Sequence, residues 1–393
     1  MPWALIIAAC LGGFAATSSG TTRAPFLEQM AQDLGTGLPW IANLFAMTAI
    51  AWGVTSVVAG VGSDLWGRRP FLIGGPLALA VAMVGVALSD NYLSVAIWST
   101  LGGACSGIFV GTLFAEVASR TSPTHRGRAL GWVMSGQSLT LVVGVPLATW
   151  IGASLGWRGV NICVAALSFV ACVALLLTSG ASRNGGPAAP TPAVSLRGAF
   201  SPQVRSLLGM VVAERICFGL AAVYFASFLL RSYFVLTPYE VAMAAIVLPL
   251  AVFAIGNVVG TALGGPLADS SRSLLATFAT MMTASAAVAL VLFGWTPGLM
   301  ISVGLGFVYM FFNALGRTAL MAALANVPNE VRGTVMGLNG TCASIGWVGA
   351  AWLGSAVLEA VGFSGFGPLV AALAIGAAAL AVRHRVASEQ QAD

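Results

Sequence analysis

Three ionisable residues lie inside long apolar stretches of this chain, where charged side chains are rare. Glu214 and Arg215 are adjacent in one stretch, and Arg317 lies in another. Each is about eight residues from the end of its stretch, which at about 1.5 Å per residue places it roughly 12 Å along a helix. A carboxyl beside a guanidinium can bind and release a proton, and a guanidinium can hold an anionic group. The three residues therefore predict a site for proton coupling or for a charged solute.

The sequence leaves the pairing within this set open. Glu214 can pair with Arg317 or with Arg215, and an ion pair that only fixes helix register is the competing interpretation. Asn313 stands four residues before Arg317 and hence on the same helix face. A few such polar groups could orient a small polar or amphipathic ligand in an apolar pocket. The uncharged candidates are Thr17, Ser18, Asn43, Gln137, Tyr224, Asn257, Tyr309, Asn313 and Asn339.

A second group of charges lies in two short cassettes that interrupt the apolar stretches. The first reads GVGSDLWGRR over 60–69, and the second reads GPLADSSR over 265–272. Both keep Gly four residues before Asp, and the pattern Arg-Gly-x-x-x-Gly at 126–131 recurs at 332–337 with nearly the same offset. These matches indicate an internal duplication. The residues of interest are Gly60, Asp64, Gly67, Arg68, Arg69, Asp269 and Arg272, with Glu116 at the end of the fourth stretch.

The cassette charges could form a conformational latch. A carboxylate is stabilised by the N-terminal dipole of a helix, so Asp64 could be held by the helix start after Arg332. Arg68 and Glu116 would then complete a cluster whose pairing changes as the two halves move. The second cassette would face the start of the fifth stretch by pseudo-symmetry. In the alternative interpretation, Arg68 and Arg69 only anchor the topology and Asp64 caps its own loop.

The elements that must position these residues are membrane helices. The 393 residues are 58% hydrophobic and only 7% charged, with a mean hydropathy of +0.94, which excludes an ordinary water-soluble domain. Unpaired backbone groups are not tolerated in hydrocarbon, so the spans should be helices of about 20 residues. The expected fold is an all-α integral membrane protein of twelve spans. They cover 3–20, 38–58, 71–89, 93–117, 129–155 and 160–177, then 207–230, 239–263, 274–294, 299–325, 335–359 and 363–382.

These spans divide into two six-helix bundles, 1–178 and 205–393, joined by a linker at 179–204 that is rich in Gly, Pro, Ala and Ser. The chain has no Lys, and most of its 17 basic residues fall in the even-numbered gaps and the tails. The positive-inside rule therefore predicts that both termini and the linker are cytoplasmic. The basic charge reflects this topology, and no nucleic-acid partner is expected. The first span lacks a basic n-region and is expected to be an uncleaved helix.

Other features point to no further chemistry. The loop 21–37, which contains Arg23, is expected to be an exposed loop or a short interfacial helix. Trp157 is expected in an interfacial aromatic belt. The six Cys are scattered singly and should be reduced packing residues, and neither His has ligands at metal-binding spacing, so no metal and no cofactor are expected. The chain also offers no nucleophile with an adjacent base and no phosphate loop, which argues against a membrane enzyme.

The first cassette resembles the signature loop of the major facilitator superfamily, because it has the same residues between the second and third spans. Twelve spans in two six-helix halves are also that family's plan. The resemblance implies a carrier that works by alternating access, with a substrate cavity between the halves near mid-membrane. It also places the seventh and tenth helices, which carry Glu214, Arg215 and Arg317, beside that cavity.

Two further segments refine the resemblance. The run Gly144-Val145-Pro146 is similar to the fifth helix of drug and sugar exporters in the proton-antiporter branches, but Val145 separates the Gly and Pro, so export is favoured only slightly. In those antiporters the fourth helix usually has an Arg four residues before a Gly, whereas here the stretch 98–102 reads WSTLG. The buried cation of that branch's usual proton-coupling arrangement is therefore missing from this stretch.

The expected function is secondary active transport of a small organic solute across the inner membrane, with protons as coupling ion and export as the direction. The expected partners are the solute, protons and the lipid bilayer, and a monomer is expected. The first alternative is an uptake carrier or facilitator for an organic anion held by Arg215 or Arg317. The more distant alternatives are a membrane enzyme and a channel, and the duplicated latch has no obvious purpose in an open pore.

Overall fold

The computed structural model describes residues 2–122, 125–179, 201–327 and 329–389, which are helical apart from short turns. The predicted linker lies almost wholly outside the described residues. Side chains at several further positions, including Asp64, Arg126 and Arg332, are also outside the description. The first half contains seven described helices. They are α1 (Trp3–Thr21), α2 (Leu27–Asp33), α3 (Leu38–Trp66), α4 (Arg69–Ala87), α5 (Tyr92–Arg120), α6 (Arg126–Leu139) and α7 (Val145–Thr178).

The second half contains six described helices of similar length, and a 3₁₀ turn at Phe363–Gly365 precedes the last of them. In the first half, a 3₁₀ turn at Ala24–Phe26 follows α1, and a π turn at Thr140–Gly144 joins α6 to α7. The helices of the second half are α8 (Pro202–Tyr233), α9 (Tyr239–Ser270), α10 (Leu274–Trp295), α11 (Leu299–Ala325), α12 (Asn329–Val361) and α13 (Phe366–Glu389).

Eleven stretches of the described residues are long and apolar enough to cross a membrane, and one of them needs two crossings. That stretch, Ala129–Thr178, has 50 residues, whereas a single crossing takes about 20. It is interrupted at Gly156, where φ is 62° and ψ is −177°, a conformation that favours glycine. The helix therefore turns back there, at the gap that the sequence predicts between the fifth and sixth spans. The prediction of an all-helical fold with twelve spans is confirmed.

The described residues form two compact units, 2–179 with 237–247, and 201–236 with 248–389. In the first unit, α3 packs against α5, α4 against α5 and α7, and α1 against α6 and α7. In the second unit, α10 packs against α11 and α13, and α8 against α12 and α13. Each unit is thus a helical bundle with its own interior.

Glycines let helices in both units approach closely. A Cβ on Gly103 of α5 would lie 2.9 Å from the Cα of Thr48 on α3, and one on Gly107 would lie 3.0 Å from the carbonyl carbon of Trp52. In the second unit, Gly256 and Gly260 of α9 face the backbone of α11 in the same way. Without a hydrophobic driving force between helices in lipid, such backbone contact is a main source of packing energy. In the first unit the glycines lie on α5, the later helix of its pair. In the second unit they lie on α9, the earlier helix of its pair.

The short helix α2 is attached to the turn at Gly156. Asp33 Oδ2 accepts hydrogen bonds from Trp157 Nε1 at 2.7 Å and from Arg158 Nη1 at 3.3 Å. Gln29 Oε1 accepts from the Trp157 backbone N–H at 3.3 Å. Trp157 is only 1% exposed, so its assignment to an interfacial belt is wrong. Its indole is buried because its one donor has a carboxylate partner on α2.

The glycine contacts predict that Gly107→Ala destabilises the first unit. The added methyl group meets the Trp52 carbonyl, so α3 and α5 must separate, which costs about 1–3 kcal/mol. Gly111→Ala is a matched control on the same helix, because its nearest neighbour, the Ser56 carbonyl oxygen, is 3.8 Å away. We expect a lower Tm for Gly107→Ala and an unchanged Tm for Gly111→Ala in detergent solution. Equal Tm values for the two variants would contradict the close-approach interpretation.

Candidate functional site

Helix α8 positions the buried carboxylate of the second unit. The helix begins with Pro202 at its first turn, and the Ser201 hydroxyl accepts a hydrogen bond from the Val204 backbone N–H at 3.4 Å. Its residues are buried on nearly every side from 216 to 230, as expected for a helix that is apolar all round. Glu214 lies at the start of this buried segment and is 1% exposed. The carboxylate is therefore fixed within the interior of the unit.

Glu214 is placed against its sequence neighbour. Its Oε2 lies 3.4 Å from Arg215 Nε, and no ion pair joins Glu214 to Arg317 in the described residues. The second carboxylate oxygen, Oε1, has no hydrogen-bond partner there. Of the two pairings that the sequence leaves open, the structure thus places the one with Arg215. The free Oε1 is available to a proton or to a donor on a solute.

Arg317, on α11, is held by neutral groups. Its Nη2 donates to Asn257 Oδ1 on α9, and its Cζ lies 5.0 Å from the centroid of the Phe218 ring. Arg215 approaches the same ring, with its Cζ 5.9 Å from the centroid. A ring face attracts a cation through its quadrupole, so Phe218 stabilises both guanidiniums. The sequence analysis did not identify Phe218 as a site residue, although it follows Glu214 by four residues and therefore lies on the same helix face.

The site contains two cations and one carboxylate. Arg317 forms no ion pair with any carboxylate of the described residues. A charge away from water is costly unless it is paired, and the Asn257 carbonyl and the Phe218 ring offset that cost only in part. The net positive charge makes this cluster suited to a solute with an anionic or electron-rich group.

Other polar groups of the second unit are also partly unsatisfied. Asn313, one turn before Arg317, is fully buried, and its Nδ2 lies 4.0 Å from Met282 Sδ. Asn313 Oδ1 and Asn339 Oδ1 have no hydrogen-bond partner in the described residues. Tyr309, by contrast, donates to the Cys217 carbonyl at 2.7 Å and ties α11 to α8. The unpartnered oxygens of Asn313 and Asn339 thus lie on α11 and α12, and Ser227 Oγ on α8 also has no partner in the described residues.

The remaining candidates lie elsewhere. Tyr224 donates to the Ala351 carbonyl at 2.9 Å and lies 3.0 Å from Ser355 Oγ, so its hydroxyl ties α8 to α12. Asn43 and Gln137 are half-buried residues of the first unit, and Gln137 packs against Gly13 of α1. Neither residue belongs to the unit that contains Glu214.

The first cassette forms a charge cluster at the ends of α3 and α5. Gly67 ends α3 with φ of 80°, a left-handed conformation that favours glycine. Arg68 then donates from Nη1 to the Ala115 carbonyl at 3.2 Å and lies 3.9 Å from Glu116 Oε2. Glu116, which is 5% exposed, also pairs with Arg120 one turn later on α5. Arg69 is exposed at the start of α4.

Two parts of the predicted latch have a different outcome. The backbone of Gly60 and Asp64 is helical, but their side-chain surroundings lie outside the description. Asp269 and Arg272 are exposed and form no ion pair with any described residue. The second cassette has no counterpart of the cluster around Glu116 in the described residues, although its sequence repeats the spacing of the first.

Known transporters share parts of this sequence. Residues 9–351 match the family model of the Major Facilitator Superfamily. The chain is 26% identical to the inner membrane transport protein YdhP of Escherichia coli over 268 residues, which are 68% of this chain and 66% of YdhP. It is 30% identical to a chloramphenicol efflux pump of Mycobacterium tuberculosis over 154 residues, 38% of this chain and 37% of the pump. In both cases the match spans less than two thirds of the relative's length.

A solved structure shares the fold over almost the whole chain. It is a crystal structure of a bacterial homologue of the human lysosomal transporter Spinster, in an inward-facing and occupied conformation. The TM-score is 0.77 at 14% sequence identity, and the match covers 97% of this chain and 96% of that chain. The signature cassette, the twelve-span fold and the family match agree, and this chain therefore belongs to the major facilitator superfamily.

Proposed function

We propose that this chain is a secondary active transporter that moves a small organic solute across the inner membrane by alternating access. Protons are the coupling ion and export is the direction. The observation that carries the proposal is the buried cluster of Glu214, Arg215 and Arg317, which has an unpartnered carboxylate oxygen and one excess cation. Similarity to a chloramphenicol efflux pump supports export. In this proposal the transporter is a monomer with both termini in the cytoplasm.

The proposed coupling step uses Glu214 as the proton acceptor. When Glu214 is ionised, its carboxylate compensates the charge of Arg215 at 3.4 Å. For export in exchange for protons, the solute and the proton must bind in turn: the ionised carboxylate accepts a donor of the solute through its unpartnered Oε1, and a proton that binds from outside displaces the solute. Release of the proton to the cytoplasm restores the ionised carboxylate for the next solute. The competing role for the pair is structural, since ion pairs between adjacent helix positions also occur without a function.

A second candidate function is uptake of an organic anion. Arg317 favours it, because this guanidinium has only an amide oxygen and an aromatic ring as partners among the described residues. An anionic solute would supply the missing negative charge. In that case Arg317, rather than Glu214, would be the residue on which transport depends.

The cluster of Arg68, Glu116 and Arg120 has a separate role in the proposal. It ties the turn after α3 to the end of α5 through one buried carboxylate shared by two guanidiniums. A change in this pairing would release the turn while both helices stay intact. We propose that the first cassette acts in this way as the latch of the transport cycle, and that the second cassette contributes less.

The coupling role predicts that Glu214→Gln abolishes accumulation driven by a pH gradient but preserves counterflow. Glutamine keeps the size and the acceptor oxygen but cannot exchange a proton. The measurement uses proteoliposomes and labelled chloramphenicol as the first probe. Glu240→Gln, which changes an exposed carboxylate at the start of α9, is the matched control and should behave as the unaltered protein. If Glu214→Gln left both activities unchanged, Glu214 would be structural and the coupling mechanism would be wrong.

The charge count predicts opposite effects for the two arginines on stability. Arg215→Gln leaves the buried Glu214 carboxylate unpaired and should lower the free energy of unfolding by about 3 kcal/mol. Arg317→Gln keeps a donor near Asn257 and removes a half-buried charge that has no carboxylate partner among the described residues, so its Tm should be equal or higher. Thermal unfolding of the two variants in the same detergent makes the comparison. A similar loss of stability in both variants would show that Arg317 is also paired.

A further inference from the structure

Arg23 is a buried cation outside the cluster described above. The sequence predicts that residues 21–37 form an exposed loop or a short interfacial helix. A short helix, α2, is present, but Arg23 is only 4% exposed, so the expectation that this residue is exposed is wrong. Arg23 follows the C-terminal end of α1 and precedes the turn Ala24–Phe26. The chain folds back at this turn into α2, whose residues Leu27 and Met30 are fully buried. The guanidinium is therefore enclosed within the first unit.

The contacts of Arg23 are all with neutral groups. Its Nη2 donates to the Ser19 carbonyl at 3.1 Å, and its Nη1 donates to Thr48 Oγ1 at 3.2 Å. Thr48 donates its own hydroxyl proton to the Leu44 carbonyl at 2.7 Å, so it accepts from Arg23. The Phe45 ring lies 5.8 Å from Arg23 Cζ. No described carboxylate forms an ion pair with Arg23, and its Nε has no hydrogen-bond partner in the described residues.

These contacts leave the charge of Arg23 uncompensated. The Ser19 carbonyl belongs to the last turn of α1, where the helix dipole favours a cation, but this effect is small beside the cost of burying a charge. A guanidinium has five N–H donors, and the described contacts use two of them. The unpartnered Nε–H belongs to the edge of the guanidinium that can bind the two oxygens of a carboxylate.

Two serines next to the residues that contact Arg23 also have hydroxyls without a partner. The Ser99 carbonyl oxygen lies 3.4 Å from Thr48 Oγ1, and the Ser99 hydroxyl is buried and unpartnered in the described residues. The hydroxyl of Ser18, which precedes Ser19 in the chain, is also buried and has no hydrogen-bond partner in the described residues. One cation and two spare hydroxyl donors, with no anion beside them, are complementary to a single negative charge. A doubly charged phosphate would leave one of its charges without a counter-charge.

We propose that Arg23 binds the carboxylate group of a small organic acid, with the hydroxyls of Ser18 and Ser99 as further donors and Thr48 holding the guanidinium in place. The Phe45 ring, 5.8 Å from Arg23 Cζ, suits a ligand with an aromatic or aliphatic body. This site lies within the first unit, so it is distinct from the cluster around Glu214. It goes beyond the proposed transport function, because binding at Arg23 requires neither proton coupling nor a direction of transport.

The test uses the full-length protein in detergent, with sodium benzoate as the probe and benzamide as its uncharged counterpart of the same shape. Tm is measured against concentration, with sodium chloride keeping the ionic strength constant. A ligand that binds only the folded state raises Tm. We expect benzoate, and not benzamide, to raise the Tm of the unaltered protein. The apparent affinity for benzoate should fall by about tenfold or more in Arg23→Gln, because paired charge-assisted hydrogen bonds are lost.

Three further variants distinguish binding at Arg23 from binding at another arginine. Arg158→Gln changes a half-exposed, ion-paired arginine and should keep the full benzoate shift. Arg317→Gln should keep the shift if benzoate binds at Arg23, and should lose it if benzoate binds at the cation to which the anion-uptake alternative assigns the solute. Ser99→Ala removes a hydroxyl that has no partner, so the variant should fold normally. Its affinity for benzoate should be lower than that of the unaltered protein. This variant keeps the test valid if Arg23→Gln does not fold.

The proposal is overturned by any of five results. These are the absence of a benzoate shift in the unaltered protein, an equal shift with benzamide, a full shift in Arg23→Gln, an unchanged benzoate affinity in Ser99→Ala, and a shift that disappears in Arg317→Gln. The transport proposal has a separate readout, because loss of counterflow or of pH-driven accumulation does not alter the benzoate shift. Failure of one proposal therefore leaves the other standing.

Discussion

The structure depends on the cost of leaving a polar group without a partner in hydrocarbon. That cost forces the backbone into helices, and it also controls the small hydroxyl side chains within them. Thr17, Thr112 and Ser168 each donate to the carbonyl of the residue four positions earlier, so their hydroxyls are satisfied inside their own helices. Against that background, the unsatisfied groups are few. The buried atoms without partners in the described residues include Glu214 Oε1 and Arg23 Nε, which belong to the two clusters that we assign to function.

Both halves contain a pair of helices in close backbone contact, but different residues permit that contact in each half. Both bring two helices into backbone contact through glycines one turn apart, but Gly103 and Gly107 lie on α5 whereas Gly256 and Gly260 lie on α9. A close approach requires small residues on only one of the two facing helices, so either helix can supply them. The two halves therefore share a close contact between helices, although different residues permit it in each half.

The two units differ more in their buried charges than in their helix packing. The second unit places two guanidiniums on the faces of one aromatic ring, Phe218, and compensates one of them with Glu214. The first unit buries Arg23 against a hydroxyl oxygen, a carbonyl oxygen and the Phe45 ring, with no carboxylate partner among the described residues. The fourth span, α5, lacks the Arg that the antiporter pattern would place there. However, Arg23 contacts Thr48, which in turn contacts the Ser99 carbonyl of α5. A buried cation is thus present near this part of the helix, although it comes from the end of α1.

The sequence by itself determined the membrane class, the twelve spans, the turn near Gly156 and the presence of Glu214, Arg215 and Arg317 within spans. These features follow from local composition, because the free energy of moving a segment from water into lipid is nearly a sum over its residues. Only the tertiary structure decided that Glu214 lies beside Arg215, that Phe218 contacts both arginines, and that Arg23 and Trp157 are buried. It also decided that Asp269 and Arg272 form no cluster among the described residues, despite the repeated spacing. The physical reason is that membrane helices here are apolar on nearly all sides, so periodicity does not fix their rotation, and side-chain pairing depends on contacts between helices distant in sequence.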